Sequence, residues 1–187
     1  IKTMAEWQQC REKLQSASFL IVDTETDGLD CIANKLAGLS FSVQEKEAWF
    51  LPVNYPNFTD DKKTRSSVMS EVKEILEDPK ISKGGQNIKF DYRTLLKENI
   101  KISPITFDTL IASHLVNQKE RILGLDAMAL AYLGYTKIST QAVMGEGMFE
   151  IKMTELPAES VYLYACEDAD ITFRLAMLLK EQLKNIE

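Results

Sequence analysis

The run Phe19–Val22 is four apolar residues that pass directly into Asp23, Thr24 and Glu25. An uninterrupted apolar run of this length reads as a strand buried on both faces in the middle of a sheet. Strand side chains alternate between faces, so Asp23 and Glu25 point one way and Thr24 the other. A chain built around this segment has to end its central strand in two carboxylates on one side. At ~4 Å two such charges repel by roughly 4 kcal/mol for an effective dielectric of 20, unless a cation lies between them. Hard divalent cations such as Mg²⁺ and Mn²⁺ prefer oxygen ligands of this kind. On this motif alone two readings stand open: a metal site, or two solvated acids in a turn-forming D-x-E-x-D-G run.

Around that strand the pattern is α/β. Thr3 and Glu6 form a T-x-x-E capping pattern for a helix reaching Ser16. Asp27-Gly28 marks a turn. Lys35–Val43 and Glu47–Val53 read as two further strands in an antiparallel meander, followed by a polar loop over Asn54–Lys63. A helix is expected over Thr64–Glu77, stopped by Pro79, and a short strand over Ile81–Gln86. Helices then follow at Phe90–Glu98, Asp108–Asn117 and Leu123–Leu133. Thr136–Lys152 carries Gly145 and Gly147 and reads as irregular, and a long last helix starts near Pro157 and runs to Lys184. Three meander strands, then strand–helix alternation, then helices predict a mixed central sheet with helices on its faces.

Two more segments carry acids. In GGQNIKFDYRTLL, Asp91 falls in the first turn of a helix after a strand; by itself it only complements the helix dipole. In YLYACEDADIT, Tyr164 and Asp168 are four residues apart, ~40° around a helix and ~6 Å along it, so they share a face. Asp170 falls ~120° from Tyr164 and faces elsewhere. Ala165, Cys166 and Ala169 are small enough for this helix to pack closely on the sheet.

DTETDGL, NIKFDYRTL and YACEDAD together resemble the three exonuclease motifs of the DEDD superfamily in its tyrosine-bearing branch. Their order and spacing are similar to those of the proofreading domains of bacterial DNA polymerase I. The resemblance covers nearly the whole chain, including GQN before the second motif and FDT at Phe107–Thr109. It implies a ribonuclease H-like fold of the DnaQ type and a metal-dependent 3′→5′ exonuclease that releases nucleoside 5′-monophosphates. It maps the ligands of two divalent ions, Mg²⁺ with Mn²⁺ able to substitute, onto Asp23, Glu25, Asp91 and Asp168. The active-site tyrosine maps onto Tyr164. Thr24, Thr26, Leu29, Gln86, Asn87 and Phe90 match positions at the 3′-terminal nucleotides of single-stranded DNA, with Leu29 as a wedge near the terminal base. Between the second and third motifs the family places an aromatic and an arginine. Here the aromatic position matches Thr140 and the arginine only approximately Arg121.

Residues 1–187 read as one exonuclease domain, and the start at Ile1 as a piece of a longer protein carrying a polymerase domain. The net charge of −6, from 22 basic and 28 acidic residues, argues against tight nonspecific duplex binding and for local, metal-dependent contact. No apolar run reaches the ~18 residues that span a membrane. The three cysteines lack metal-ligand spacing and read as reduced thiols, which with the absent leader pattern predicts a cytoplasmic monomer. Trp7 and Trp49 are expected to pack, Asp108 to cap its helix, and His114 to be partly buried. Other classes stay in view: an RNA 3′ exonuclease of the ribonuclease D kind, an aspartate-nucleophile phosphatase, and a catalytically silent module of a polymerase.

Overall fold

The computed structural model describes residues 1–54, 61–145, 147 and 151–185. Five strands form one sheet, β1 (Phe19–Thr26), β2 (Leu36–Gln44), β3 (Glu47–Pro52), β4 (Ser82–Gly85) and β5 (Ile105–Asp108), in the order β3-β2-β1-β4-β5. β1, β2 and β3 form the expected antiparallel meander, and β4 and β5 run parallel to β1. Among the described residues seven α-helices flank the sheet: α1 (Met4–Ser16), α2 (Lys62–Glu77), α3 (Lys89–Leu96), α4 (Thr109–Val116), α5 (Leu125–Leu133), α6 (Thr140–Met144) and α7 (Ala158–Leu183).

β1 is central because its side chains are apolar on both faces. Leu20 and Val22 enter a core with Trp7 and Leu14 of α1, Val72 and Leu76 of α2, and Leu95 of α3. Ile21, between them, points to the opposite face and meets Ala169 and Ala176 of α7. This parity orders the whole fold: even-numbered positions of β1 look towards α1, α2 and α3, odd-numbered positions towards α7. The fully buried Ala165, Ala169 and Ala176 let α7 lie against β1, β2, β3 and β4. Cys166 is partly buried on the same contact.

The first helix begins at the Thr3 cap of the T-x-x-E pattern, with Glu6 reaching back one residue further, to Lys2. The Thr3 hydroxyl accepts from the Glu6 amide at 3.2 Å, while the Glu6 carboxylate accepts from the Lys2 amide at 2.6 Å. Two elements go beyond the sequence reading. β5 is a four-residue strand with half of its positions exposed, so it has neither length nor alternation to reveal it. α6 is a five-residue helix inside the stretch read as irregular, started by the Ser139 hydroxyl accepting from the Ala142 amide at 3.2 Å. α2 begins at Lys62, two residues earlier than expected, because the Asp61 carboxylate caps it by accepting the Thr64 amide at 2.8 Å. Most of the polar loop expected after β3, residues 55–60, lies outside the described residues. His114 is exposed on α4, not partly buried. Trp7 is fully buried and donates its indole N–H to Glu71 at 2.6 Å, and Trp49 packs at the edge of the same core. Cys10, Cys31 and Cys166 are free.

Gly38 of β2, the register partner of Glu25, has no side chain for a packing reason. A Cβ there would meet the ring of Phe50 and the Leu51 carbonyl oxygen at 3.0 Å. Phe50 is buried in the cluster that also holds Tyr164. Gly38→Ala is therefore expected to lower stability by about 1–3 kcal/mol, the usual cost of overpacking a close-packed core. Urea unfolding of the two proteins measures it; an unchanged midpoint would show that Phe50 can move aside freely.

Candidate active site

The C-terminal end of β1 opens into a cavity of about 680 Å³. Its wall includes Asp23, Thr24, Glu25, Thr26 and Leu29 from the first motif, Gln86, Asn87, Phe90 and Asp91 from the second, and Tyr164 and Asp168 from α7. Every site residue that the resemblance maps onto the three motifs thus reaches one space. Asp170 does not: it pairs with Arg174 at 3.4 Å and accepts the Lys46 amide at 2.6 Å, on the β2–β3 hairpin side. Thr140 is on the wall and Arg121 is not.

Strand parity divides the four acids. Asp23 and Glu25 share the odd face of β1 and look towards Asp168 and Tyr164 on α7. Thr24 looks the other way, to α3, and holds Asp91 there. Its amide and hydroxyl both donate to Asp91 Oδ1, at 3.0 and 2.6 Å. Asp91 is 2% exposed, so this double bond offsets much of its burial cost. Asp168 has a different partner, one the sequence did not signal. The Lys137 ammonium lies 2.9 Å from its Oδ1 and 3.1 Å from Asp126 Oδ1, and stands 4.6 Å from the centre of the Tyr164 ring. Lys137 sits in an irregular stretch between α5 and α6, and no periodicity marks it as inward-facing.

The approach to Asp91 is set by a third acid. Asp108 caps α4 by accepting the Leu110 amide at 2.9 Å. It also accepts the Asn87 and Ile88 amides, at 3.0 and 3.1 Å, where Asn87 turns at a positive φ of 55°. This fixes the β4–α3 turn that leads into the first turn of α3, where Asp91 sits. Gln86 is tied by its amide donating to the Leu123 carbonyl at 2.7 Å and its oxygen accepting from the Thr109 hydroxyl. Leu29, by contrast, is 94% exposed at the mouth of the cavity.

Electrostatics in the cavity are those of acids short of counter-charge. Burial pushes Glu25 up to about 8, with Asp168 and Asp91 adding to the rise and Lys137 opposing it. Burial likewise raises Asp91 to about 7 against the pull of its Thr24 bonds, and Asp168 to about 6 against the pull of Lys137. Asp23 is half-buried and faces the cavity, and it too is raised, first by burial and then by Asp91, Glu25 and Asp168. Burial, with Asp168 and Glu25 behind it, also raises the Tyr164 phenol, so it stays protonated at neutral pH. Its hydroxyl is 3.1 Å from that of Thr140.

This donor set fits a hard divalent cation. Glu25 Oε1 is a buried oxygen with no hydrogen-bond donor, and Asp168 Oδ1 faces the Lys137 ammonium at 2.9 Å. Carboxylate oxygens are the ligands Mg²⁺ and Mn²⁺ prefer. Among the described residues no three His, Cys, Asp or Glu side chains are drawn together as a ready cage, in keeping with Asp91 held by Thr24 and Asp168 by Lys137.

The raised acids give the metal-free chain a definite pH dependence. Their ordinary values are 3.8 for Asp and 4.5 for Glu, so above these the native chain keeps protons that the unfolded chain has released. Stability contributed by those protons is present below the unfolded values and is lost as pH rises through about 6, 7 and 8. In EDTA the melting temperature should therefore fall between about pH 5 and pH 8, and saturating Mg²⁺ should remove most of the fall. A flat or rising profile in EDTA would contradict the crowding of unneutralised acids.

The sequence profile of the 3′-5′ exonuclease family matches residues 1–184. The DNA polymerase I of Pseudomonas aeruginosa is 32% identical over 178 residues, covering 94% of this chain and 20% of that protein. The chain thus spans about one fifth of the length of the curated relatives it matches. Among solved structures, Escherichia coli RNase D, an exoribonuclease involved in structured RNA processing, superposes with a TM-score of 0.72 at 18% identity, over 99% of this chain and 44% of that one. Brucella melitensis NrnC with bound Mg²⁺ superposes with a TM-score of 0.66 at 20% identity, over 91% and 76%. These two likenesses establish the ribonuclease H-like fold.

Proposed function

Because this chain belongs to the 3′-5′ exonuclease family found in DNA polymerase I, we propose that its cavity hydrolyses the 3′-terminal phosphodiester of single-stranded or frayed DNA, releasing nucleoside 5′-monophosphates. The observation that carries the reading is the meeting of Asp23, Glu25, Asp91, Asp168 and Tyr164 in one cavity from three separate stretches of chain. The match to DNA polymerases supports DNA over RNA as substrate, and a polymerase domain in the same longer chain as the source of frayed 3′ ends.

Two divalent ions, Mg²⁺ or in its place Mn²⁺, held by Asp23, Glu25, Asp91 and Asp168, would neutralise the charge that builds on the attacking and leaving oxygens. The chain supplies position around them. Asp23, whose carboxyl feels the charges of Asp91, Glu25 and Asp168 together, would take part in holding both ions. Glu25 and Asp168 complete the α7 side, and Asp91 the α3 side. Tyr164 stays protonated, so it orients the attacking water by hydrogen bonding and does not remove its proton. Thr140 holds the phenol oxygen from outside. Leu29, exposed at the mouth, offers an apolar edge against the terminal base, while Thr24, Thr26, Gln86, Asn87 and Phe90 line the approach. Of these, Thr24, Thr26 and Gln86 act through shape, since their polar atoms are already engaged.

The deciding assay uses matched 5′-labelled and 3′-labelled oligonucleotides with and without Mg²⁺. A 5′ label should give a descending ladder and a 3′ label a single mononucleotide at once, both only with metal. Asp23→Ala should abolish cleavage with the fold intact by circular dichroism. Tyr164→Phe should lower kcat by about 10²-fold, as when a reacting group loses its positioning. Metal-dependent cleavage by the Asp23→Ala protein would overturn the assignment, and faster loss of the matched RNA would move the chain to the ribonuclease D kind.

A further inference from the structure

Lys152 lines the cavity, but it is the Lys137 ammonium that is held against one of its carboxylates, that of Asp168. Only 1% of its side chain is exposed. Glu167 clamps the chain on both sides of it, accepting the Tyr135 hydroxyl and the Ile138 amide, each at 2.6 Å. Glu167 immediately precedes Asp168, so the clamp fixes the lysine against the same turn of α7. The ammonium donates to the Ile138 carbonyl at 2.7 Å and is shared between Asp168, which is buried, and Asp126, whose side chain is 63% exposed. A buried cation with this many partners is a built feature, because an unpaired one would be strongly disfavoured.

An ammonium 2.9 Å from Asp168 Oδ1 and a divalent ion on that same oxygen would be like charges in close contact. Their repulsion weakens the hold of each on that oxygen. We propose that Lys137 is a tethered cation that competes with divalent metal for Asp168, neutralising it when no metal is bound and withdrawing to Asp126 when metal arrives. Lys137 is thus a positioning residue that sets metal affinity. The inference rests on the reading of Asp168 as a metal ligand.

Asp126 gives the idea a second handle of opposite sign. If it is the station to which the ammonium withdraws, removing its charge penalises the metal-bound state more than the metal-free state. The test is Mn²⁺ binding by calorimetry on the whole chain, with no nucleic acid present. Lys137→Met should bind Mn²⁺ roughly tenfold more tightly, through loss of one competing charge. Lys137→Arg should stay close to the parent, and Asp126→Asn should bind several-fold more weakly. In the Lys137→Met background Asp126→Asn should do little, a coupling that mere loss of a nearby negative charge would not produce. Unchanged or weaker binding by Lys137→Met overturns the proposal. If that variant does not fold, Lys137→Gln takes its place in both comparisons, with the same expected results and the same overturning result. Asp168→Asn separates the two levels. If it leaves Mn²⁺ binding untouched, the metal site itself is misassigned. If it weakens binding while Lys137→Met fails to strengthen it, only the role of Lys137 falls.

Discussion

Four carboxylates gathered at the end of one strand repel one another, and much of the surrounding structure answers that repulsion. Water is the usual remedy, but Glu25, Asp91 and Asp168 are largely withdrawn from it. Each acid therefore depends on a local substitute. Asp91 has two donors from Thr24, Asp168 has the Lys137 ammonium, and Glu25 keeps an oxygen with no donor at all. What remains unneutralised is stored as raised proton affinity, which makes the cavity receptive to cations.

Holding such a cluster together needs rigid backing. The parity of β1 sends Asp23 and Glu25 to one side and Thr24 to the other, so one strand addresses both α7 and α3. Behind the second motif, Asp108 satisfies three amides of two different segments and thereby locks the turn before α3. Behind the third, small residues let α7 press on the sheet, and Gly38 leaves room for the Phe50 ring in the cluster that holds Tyr164. None of these supports is a candidate for chemistry. They are residues whose geometry tolerates little change.

Much of the site could be read from the chain because its signals are local. Alternation along a strand placed Asp23 with Glu25, and the helical repeat placed Tyr164 with Asp168 and turned Asp170 away; the ion pair of Asp170 with Arg174 agrees. The resemblance to the DEDD motifs joined three stretches whose contact no periodicity could supply. Asp91 shows the difference: alone it was an ordinary helix-start acid, and its link to Thr24 spans 67 positions. The short β5 and α6 were missed because four or five residues carry too little pattern, and because β5 is defined by pairing with β4.

The amino-acid sequence by itself determined the alternation that forces two acids onto one face of a buried strand, the helical face shared by Tyr164 and Asp168, and the mixed α/β order of elements. These follow from backbone geometry within a few residues. Only the tertiary structure decided how the acids are neutralised. That Thr24 ties down Asp91, that Thr140 meets the Tyr164 hydroxyl, and that Lys137 reaches Asp168 from an irregular stretch depend on contacts between distant segments. Electrostatic partnership acts through space, and in this chain sequence spacing gives no measure of that distance.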